Sequence, residues 1–318
     1  MGCIVAFQLC SLIGVGLGIL TAVDTVLTGA PMPLTSSSPI SLSELINLDL
    51  YPLHEPGPER DSLLACVREE LDDCGCAVLK DFMRPSAIPH LVAECDRVRD
   101  KAHRNFNRTN PYFTADSPEY PASHPRRRFY DRSNAFIPAD HFGADSAIRA
   151  VYEWPAFAPF IKAALRETAF HRYGDPLADV IVNMAEAGNG FPWHFDTNNY
   201  TVTLAIQNAE GGGEFEYSPA LRSATDENYA GVERVLNGDA SLIRRLVLEP
   251  GDLQIFRGRY SLHRVAPLLG ARPRYVAIYS YAELPDMVGS PERTQQLYGR
   301  VLPIHWERAG RRADALVD

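Results

Sequence analysis

Positive charge is in short supply in this chain. Its 31 Lys and Arg stand against 40 Asp and Glu, a formal net charge of −9. That balance argues against a nucleic-acid backbone as partner, although local arginines could still hold a small anion. Zinc spacing is missing as well. Cys74-Gly75-Cys76 is a C-x-C with no second pair to answer it. Cys66 and Cys95 read as buried thiols on helices, and reduced cysteines imply a cytoplasmic setting. No internal repeat and no long linker divide the chain, so one domain over residues 61–318 is expected, after an irregular segment 1–60. The hydrophobic fraction of 46% is enough for a substantial core. Long apolar runs are absent with one exception. Residues 3–23 carry no charge and are long enough to span a bilayer, so membrane association could arise only there. That run lacks the positive flank of a secretory signal, and Ala6 breaks the myristoylation pattern.

What is present is a spaced set of donors. His194-Phe195-Asp196 is followed by His263 and then by Arg274. Two imidazoles and one carboxylate make the three-point face that holds non-haem Fe(II) and leaves positions open. On a strand, residues i and i+2 share a face, so His194 and Asp196 point together while Phe195 packs the other way. The third donor has to come from a distant strand.

The surroundings read as β structure. Gly188–Trp193 is a turn feeding His194, and Tyr200–Ile206 is a β-branched, apolar strand. Gly211-Gly212-Gly213 is a turn, Glu214–Tyr217 alternates, and Glu249–Asp252 turns again before the strand Leu253–Phe256. Arg274–Tyr281 is a long strand opened by a cation. Upstream, Asp61 caps a helix through Leu63, Leu64, Val67 and Leu71. Cys76–Leu79 is a strand, and Pro85–Arg99 a second helix. Residues 105–145 have no period and read as a long functional loop. Trp154–Arg172 reads as a helix, residues 226–237 as a short one with Tyr229, Val232 and Leu236 inward, and Pro291 opens another. The tail after Trp306 reads as loose.

With these residues in view, the chain resembles the Fe(II)/2-oxoglutarate-dependent oxygenases. The resemblance rests on His194-x-Asp196, Gly211–Phe215, Pro250-Gly251-Asp252, His263 and Arg274, and covers roughly Cys74–Tyr281. It is closest to the small-molecule branch that contains free-amino-acid halogenases and hydroxylases. Gly213–Pro219, Gly258–Pro267 and Tyr298-Gly299-Arg300 look like that branch. The resemblance implies a mainly β fold with flanking helices, a double-stranded β-helix related to the cupins, with its barrel at about 175–285. It also implies Fe(II), 2-oxoglutarate as co-substrate, and O2. His194, Asp196 and His263 would hold the iron. Arg274 would grip the far carboxylate of 2-oxoglutarate by a bidentate fork, with Arg272 and Arg264 as reserves. Halogenating members of the branch carry glycine where this chain has Asp196, which favours hydroxylation. Desaturation, cyclisation and halogenation stay open as outcomes, as does a metal-binding jelly roll that consumes no O2.

Substrate residues are expected just past the ligands, at Thr197, Asn198 and Asn199, and in the cluster Arg127, Arg128, Asp131, Arg132 and Asn134. Together they suit a polar small molecule such as a free amino acid. Three readings compete for residues 3–23: a membrane anchor, an atypical signal, or a leader translated ahead of a true start at Met32. The leader is preferred because Fe(II) and 2-oxoglutarate are supplied in the cytosol.

Overall fold

Alternation along one strand shows how the chain builds two layers. In Arg274–Ala282, Arg274, Val276, Ile278 and Ser280 face a cavity, while Tyr275, Ala277, Tyr279 and Tyr281 are buried in a separate apolar core. Successive side chains of a strand point to opposite faces, so one strand serves both layers. The computed structural model describes residues 41–197, 200–308 and 316, which all lie in one unit, Ile40–Asp318.

The strands in chain order are β1 Cys76–Leu79, β2 His103–Thr109, β3 Tyr130–Ile137, β4 His171–Arg172, β5 Val180–Ala185, β6 Phe191–His194 and β7 Thr201–Gln207. They continue with β8 Gly211–Gly212, β9 Phe215–Ser218, β10 Arg244–Leu246, β11 Leu253–Phe256, β12 Leu262–Val265, β13 Leu268–Leu269 and β14 Arg274–Ala282. The helices are α1 Leu42–Leu45, α2 Pro58–Cys74, α3 Ile88–Val98, α4 Ala147–Glu153, α5 Phe157–Leu165, α6 Tyr229–Leu236, α7 Pro291–Tyr298 and α8 Pro303–Arg308. The major sheet runs β1-β11-β7-β14-β5-β3-β2, with β4 on the edge of β14, and the minor sheet runs β10-β9-β12-β6. Ile181, Thr203 and Gln254 of the major sheet face His194, Phe215 and His263 of the minor one across the cavity. This is a double-stranded β-helix, the jelly-roll architecture.

Helices hold the outside of the major sheet. Val67 on α2, Leu91 on α3, and Phe157 and Phe160 on α5 pack with Val182, Leu204, Ile255 and Tyr279. Each fully buried side chain of this kind contributes about 1.5–3 kcal/mol. This layer can therefore carry the stability while the inner face stays polar and hollow.

Several elements differ from the sequence reading. Helix α2 begins at Pro58 after Gly57, and Asp61 lies within its first turns. Proline preset for the first helical position outweighs an aspartate cap. The supposed helix Trp154–Arg172 is two shorter elements, because Trp154 ends α4 in extended backbone and Arg166 turns left-handed after α5. The patternless segment 105–145 holds most of β2 and all of β3, paired residue for residue from His103↔Phe136 to Thr109↔Tyr130. Residues before Asp61 also join the core: Leu45, Ile46 and Leu53 are buried. Cys95 is buried, but Cys66 is only half-buried. Among the described residues no helix is long and apolar enough to cross a membrane, and residues 3–23 and Met32 lie outside them.

One turn ties the cavity strands to the helical layer. Asp252, 1% exposed, accepts from Lys80 Nζ at 2.6 Å, Glu249 N at 2.9 Å and Asp81 N at 3.0 Å. Gly251 beside it has φ +103, and a Cβ there would press on the Met83 carbonyl. Replacing Asp252 removes a buried carboxylate that accepts from two backbone amides and one ammonium, and a hydrogen bond to a charged group is worth about 1.5–3 kcal/mol. We therefore expect Asp252→Ala to destabilise the fold by about 2–4 kcal/mol. Urea denaturation should show this as a lowered midpoint at unchanged slope.

Candidate metal centre

An antiparallel ladder places the first two donors. His194 ends β6 and His263 lies directly opposite it on β12, with ring centroids 4.2 Å apart. Asp196, just past β6, turns Oδ1 to within 3.3 Å of His263 Nε2 and 3.8 Å of His194 Nε2. One ligand atom from each of the three lies within 4.8 Å of the others. Donors bound at about 2.1 Å to one divalent ion stand about 3 Å apart, so small side-chain adjustments complete the shell.

Both imidazoles are oriented from behind. His194 Nδ1 faces the Pro192 carbonyl at 2.8 Å, and His263 Nδ1 faces the Ser261 carbonyl at 2.9 Å. A proton on Nδ1 is donated to the carbonyl, which leaves the Nε2 lone pair for a metal. Burial, with His263 and Arg132 nearby, pushes the His194 pKa well down and keeps its ring neutral. Burial opposes ionisation of Asp196, but the facing His263 outweighs it and holds the carboxyl well below the usual carboxylate range. The site thus offers two imidazole nitrogens beside an anionic oxygen, the donor set that suits Fe(II).

The carboxylate sits in a socket. Thr201 donates its hydroxyl to Asp196 Oδ2, and Asp196 N donates to the Gly258 carbonyl at 3.1 Å. A Cβ on Gly258 would overlap Oδ2. One oxygen is therefore occupied and the other is left for metal. Behind the socket, buried Arg222 lies over the Phe195 ring at 4.0 Å, and buried Arg259 donates to the Thr197 carbonyl at 3.1 Å.

The cavity that opens from these donors has a volume of about 810 Å³. Arg274 lines it, 8% exposed, and its guanidinium has no hydrogen-bond or ion-pair partner among the described residues. Burial alone lowers its pKa to about 10, so it is still a cation at neutral pH. Gly213 gives its stem room: a Cβ there would stand 3.5 Å from Arg274 Cδ. A buried cation facing the same cavity as the metal donors fits the far carboxylate of a chelating dicarboxylate such as 2-oxoglutarate. The two reserve arginines are engaged elsewhere. Arg264 pairs with Glu216 at 2.6 Å and stacks on Trp193, and Arg272 donates to the Asn208 and Ala209 carbonyls.

The expected substrate residues divide. Thr197 and Arg132 line the cavity. Asn198 and Asn199 lie outside the described residues. Asn134 is not on the cavity wall. With its amide oxygen turned toward Arg132, it accepts from Nε at 2.8 Å and Nη2 at 3.1 Å. Arg128 does not reach the cavity, because it donates to Asn237 Oδ1 at 2.8 Å and the Leu236 carbonyl and so finishes α6. Arg127 pairs with Asp116, and Asp131 with Arg108. The sequence reading missed Phe113, Thr201, Gly258 and the wall supplied by α7, including Arg293. Only Gly258 left a signal, as a glycine in the bend between two strands.

With this geometry in hand, comparison with known families matches residues 59–298 to the family described as Halogenase D. The chain belongs to the Halogenase D family, within the Fe(II)/2-oxoglutarate oxygenases. No curated protein matches the sequence. Solved structures with a similar fold include the non-heme alpha ketoglutarate dependent epimerase SnoN from nogalamycin biosynthesis. It is 13% identical, with 70% of this chain and 82% of that one covered and a TM-score of 0.49. AviO1 from Streptomyces viridochromogenes is 15% identical over 71% and 97% of the two chains, at 0.46. A Pseudomonas putida prolyl-4-hydroxylase is 15% identical over 68% and 96%, at 0.43.

Partners that orient a metal ligand are commonly worth about 10–100-fold in affinity. Gly258→Ala should therefore weaken anaerobic Fe(II) binding about 10–100-fold while far-UV circular dichroism is unchanged. Thr201→Val should weaken it about tenfold, with Thr201→Ser restoring it.

Proposed function

We propose that this protein is an Fe(II)- and 2-oxoglutarate-dependent hydroxylase of a polar small molecule, for which a free amino acid is the example the family likeness suggests. The observation that carries the reading is the joint presence of a His-Asp-His donor set and a buried Arg274, unpaired among the described residues, on one cavity. His194, Asp196 and His263 would hold the iron, and Arg274 would hold 2-oxoglutarate. Bound together with O2, that group supplies the oxidising power for breaking an unactivated C–H bond.

The chain's own contribution is position and exclusion. Thr201 and Gly258 fix which carboxylate oxygen faces the metal. The Pro192 and Ser261 carbonyls fix the imidazole tautomers. Phe113, Phe191, Phe215 and Phe256 wall the site and keep water from it. Thr197 and Arg132 are the candidates for touching substrate.

Asp196 favours hydroxylation over halogenation. The halogenating members that the sequence resembles carry glycine there, which frees a position for halide. In this chain a socketed carboxylate fills that position.

Anaerobic addition of Fe(II) and 2-oxoglutarate should give the weak visible charge-transfer band of the chelate, and Asp196→Ala should abolish most of it. Arg274→Gln should raise the 2-oxoglutarate Kd about 10–100-fold, the worth of a charge-assisted fork, with Fe(II) binding retained. A parent protein that shows no band would overturn the reading. Mass spectrometry of candidate amino acids and nucleosides after aerobic incubation should find one that gains a single oxygen atom only when all components are present.

A further inference from the structure

Of the phenyl rings named above as walling the metal site, those of Phe191, Phe215 and Phe256 ride on strands β6, β9 and β11. Phe113 comes instead from the connection between β2 and β3. Its backbone is also unusual. Phe113 has φ +59, the left-handed region that a bulky side chain rarely adopts and that costs free energy. Such a conformation persists only where its surroundings hold it.

The holder is Asn110, which is fully buried. Its Oδ1 accepts from Tyr112 N at 3.0 Å and Thr114 N at 3.2 Å, the amides on either side of Phe113. Its Nδ2 donates to the Arg126 carbonyl at 2.8 Å, to Thr114 Oγ1 at 3.0 Å and to the Thr114 carbonyl at 3.1 Å. Phe113 N donates to the Asn110 carbonyl at 3.2 Å. The turn is also fastened to the segment that bears the metal donors. Phe195 N donates to the Pro111 carbonyl at 2.9 Å, and the Tyr112 and Phe195 rings lie 5.5 Å apart. So held, the Phe113 ring stands 5.5 Å from the His194 ring, and both line the cavity. The guanidinium carbons of Arg132 on β3 and Arg293 on α7 lie 4.7 and 4.2 Å from its centre. A loop ring, a metal donor, a strand and a helix therefore meet at one point.

We propose that Phe113 is the shutter of the metal centre and that Asn110 is the positioning residue that keeps it closed. This rests on the metal centre of the hydroxylase reading above and adds how that centre is screened from bulk water. Closing a site keeps water and side reactions out. The ring stands beside a donor and is not one itself. It therefore governs how fast a metal ion enters and leaves, while His194, Asp196 and His263 set how tightly the ion is held. Strain accepted at the rim is consistent with that task, since strained backbone clusters at ligand clamps and switch segments.

The test loads the protein anaerobically with Fe(II) alone and follows metal removal by excess ferrozine, a ferrous chelator, with the Fe(II) Kd measured in parallel. Phe113→Gly accepts the left-handed backbone without strain and lacks the ring. It should speed iron removal by about tenfold or more, with the Kd within about threefold of the parent, because entry and exit quicken together. Asn110→Ala should do the same. Phe113→Tyr keeps the ring and should hold removal to within about threefold of the parent rate. In the iron-free protein, Asn110→Ala should speed deuterium exchange at the Tyr112 and Thr114 amides by about tenfold or more. Should that variant not fold, Asn110→Asp, which keeps the acceptor and loses the donors, takes its place. Equal removal rates in the parent and Phe113→Gly overturn the proposal. So does a Kd that rises in step with the rate, which would make Phe113 a support for His194, and so do amides that exchange no faster without Asn110. A parent protein that binds Fe(II) but not 2-oxoglutarate sinks the hydroxylase reading instead, and the removal rates still decide the shutter. A parent that binds no Fe(II) sinks both.

Discussion

Everything at this site depends on one cross-strand pairing, His194 opposite His263 in the β6–β12 ladder. Antiparallel pairing fixes register because a one-residue slip turns every side chain to the other face. Here a slip would send both imidazoles into the layer that holds Trp193 and Leu262, and no metal face would form. The helices outside the major sheet and the Asp252 turn matter to the chemistry because they hold the two sheets in a fixed relation around that pair.

The division of labour between the two faces of the sheets explains how such a site is tolerated. The outer face of the major sheet is an apolar contact with α1–α5 that can supply the folding free energy. The inner face is then free to hold groups that cost stability: the Asp196 carboxylate, two buried histidines and the buried Arg132 and Arg274. Arg274 is the clearest case. A buried guanidinium with no partner is unfavourable in the folded protein alone and becomes favourable once a carboxylate arrives.

Much of this could be read from the residues, and the limits of that reading have physical causes. The i, i+2 spacing of His194 and Asp196, the glycine turns and the alternating strand opened by Arg274 are local signals, and they located the barrel and its donors. The pair β2–β3 gave no such signal. β2 lies at the sheet edge with alternate residues exposed, and β3 carries Arg132 and Asn134 on buried positions, so neither has the apolar alternation of a half-buried strand. Arg128 and Arg132 look equivalent in sequence. Only the fold shows that one reaches the end of α6 and the other the cavity. That α7 lines the cavity could not be found at all, since it depends on where that helix returns to the barrel. Membership of the Halogenase D family and the presence of Asp196 stand together without conflict. The family describes the scaffold, and in the proposed site the residue after Phe195 would set how many protein ligands a metal receives.

The most direct test of the central claim is to locate the metal itself. Anomalous scattering at the iron edge, from crystals loaded anaerobically with Fe(II), would do this. The account predicts one iron within about 2.2 Å of His194 Nε2, Asp196 Oδ1 and His263 Nε2. Iron bound elsewhere, or a site in which Asp196 stays turned to Thr201 and takes no part, would contradict it.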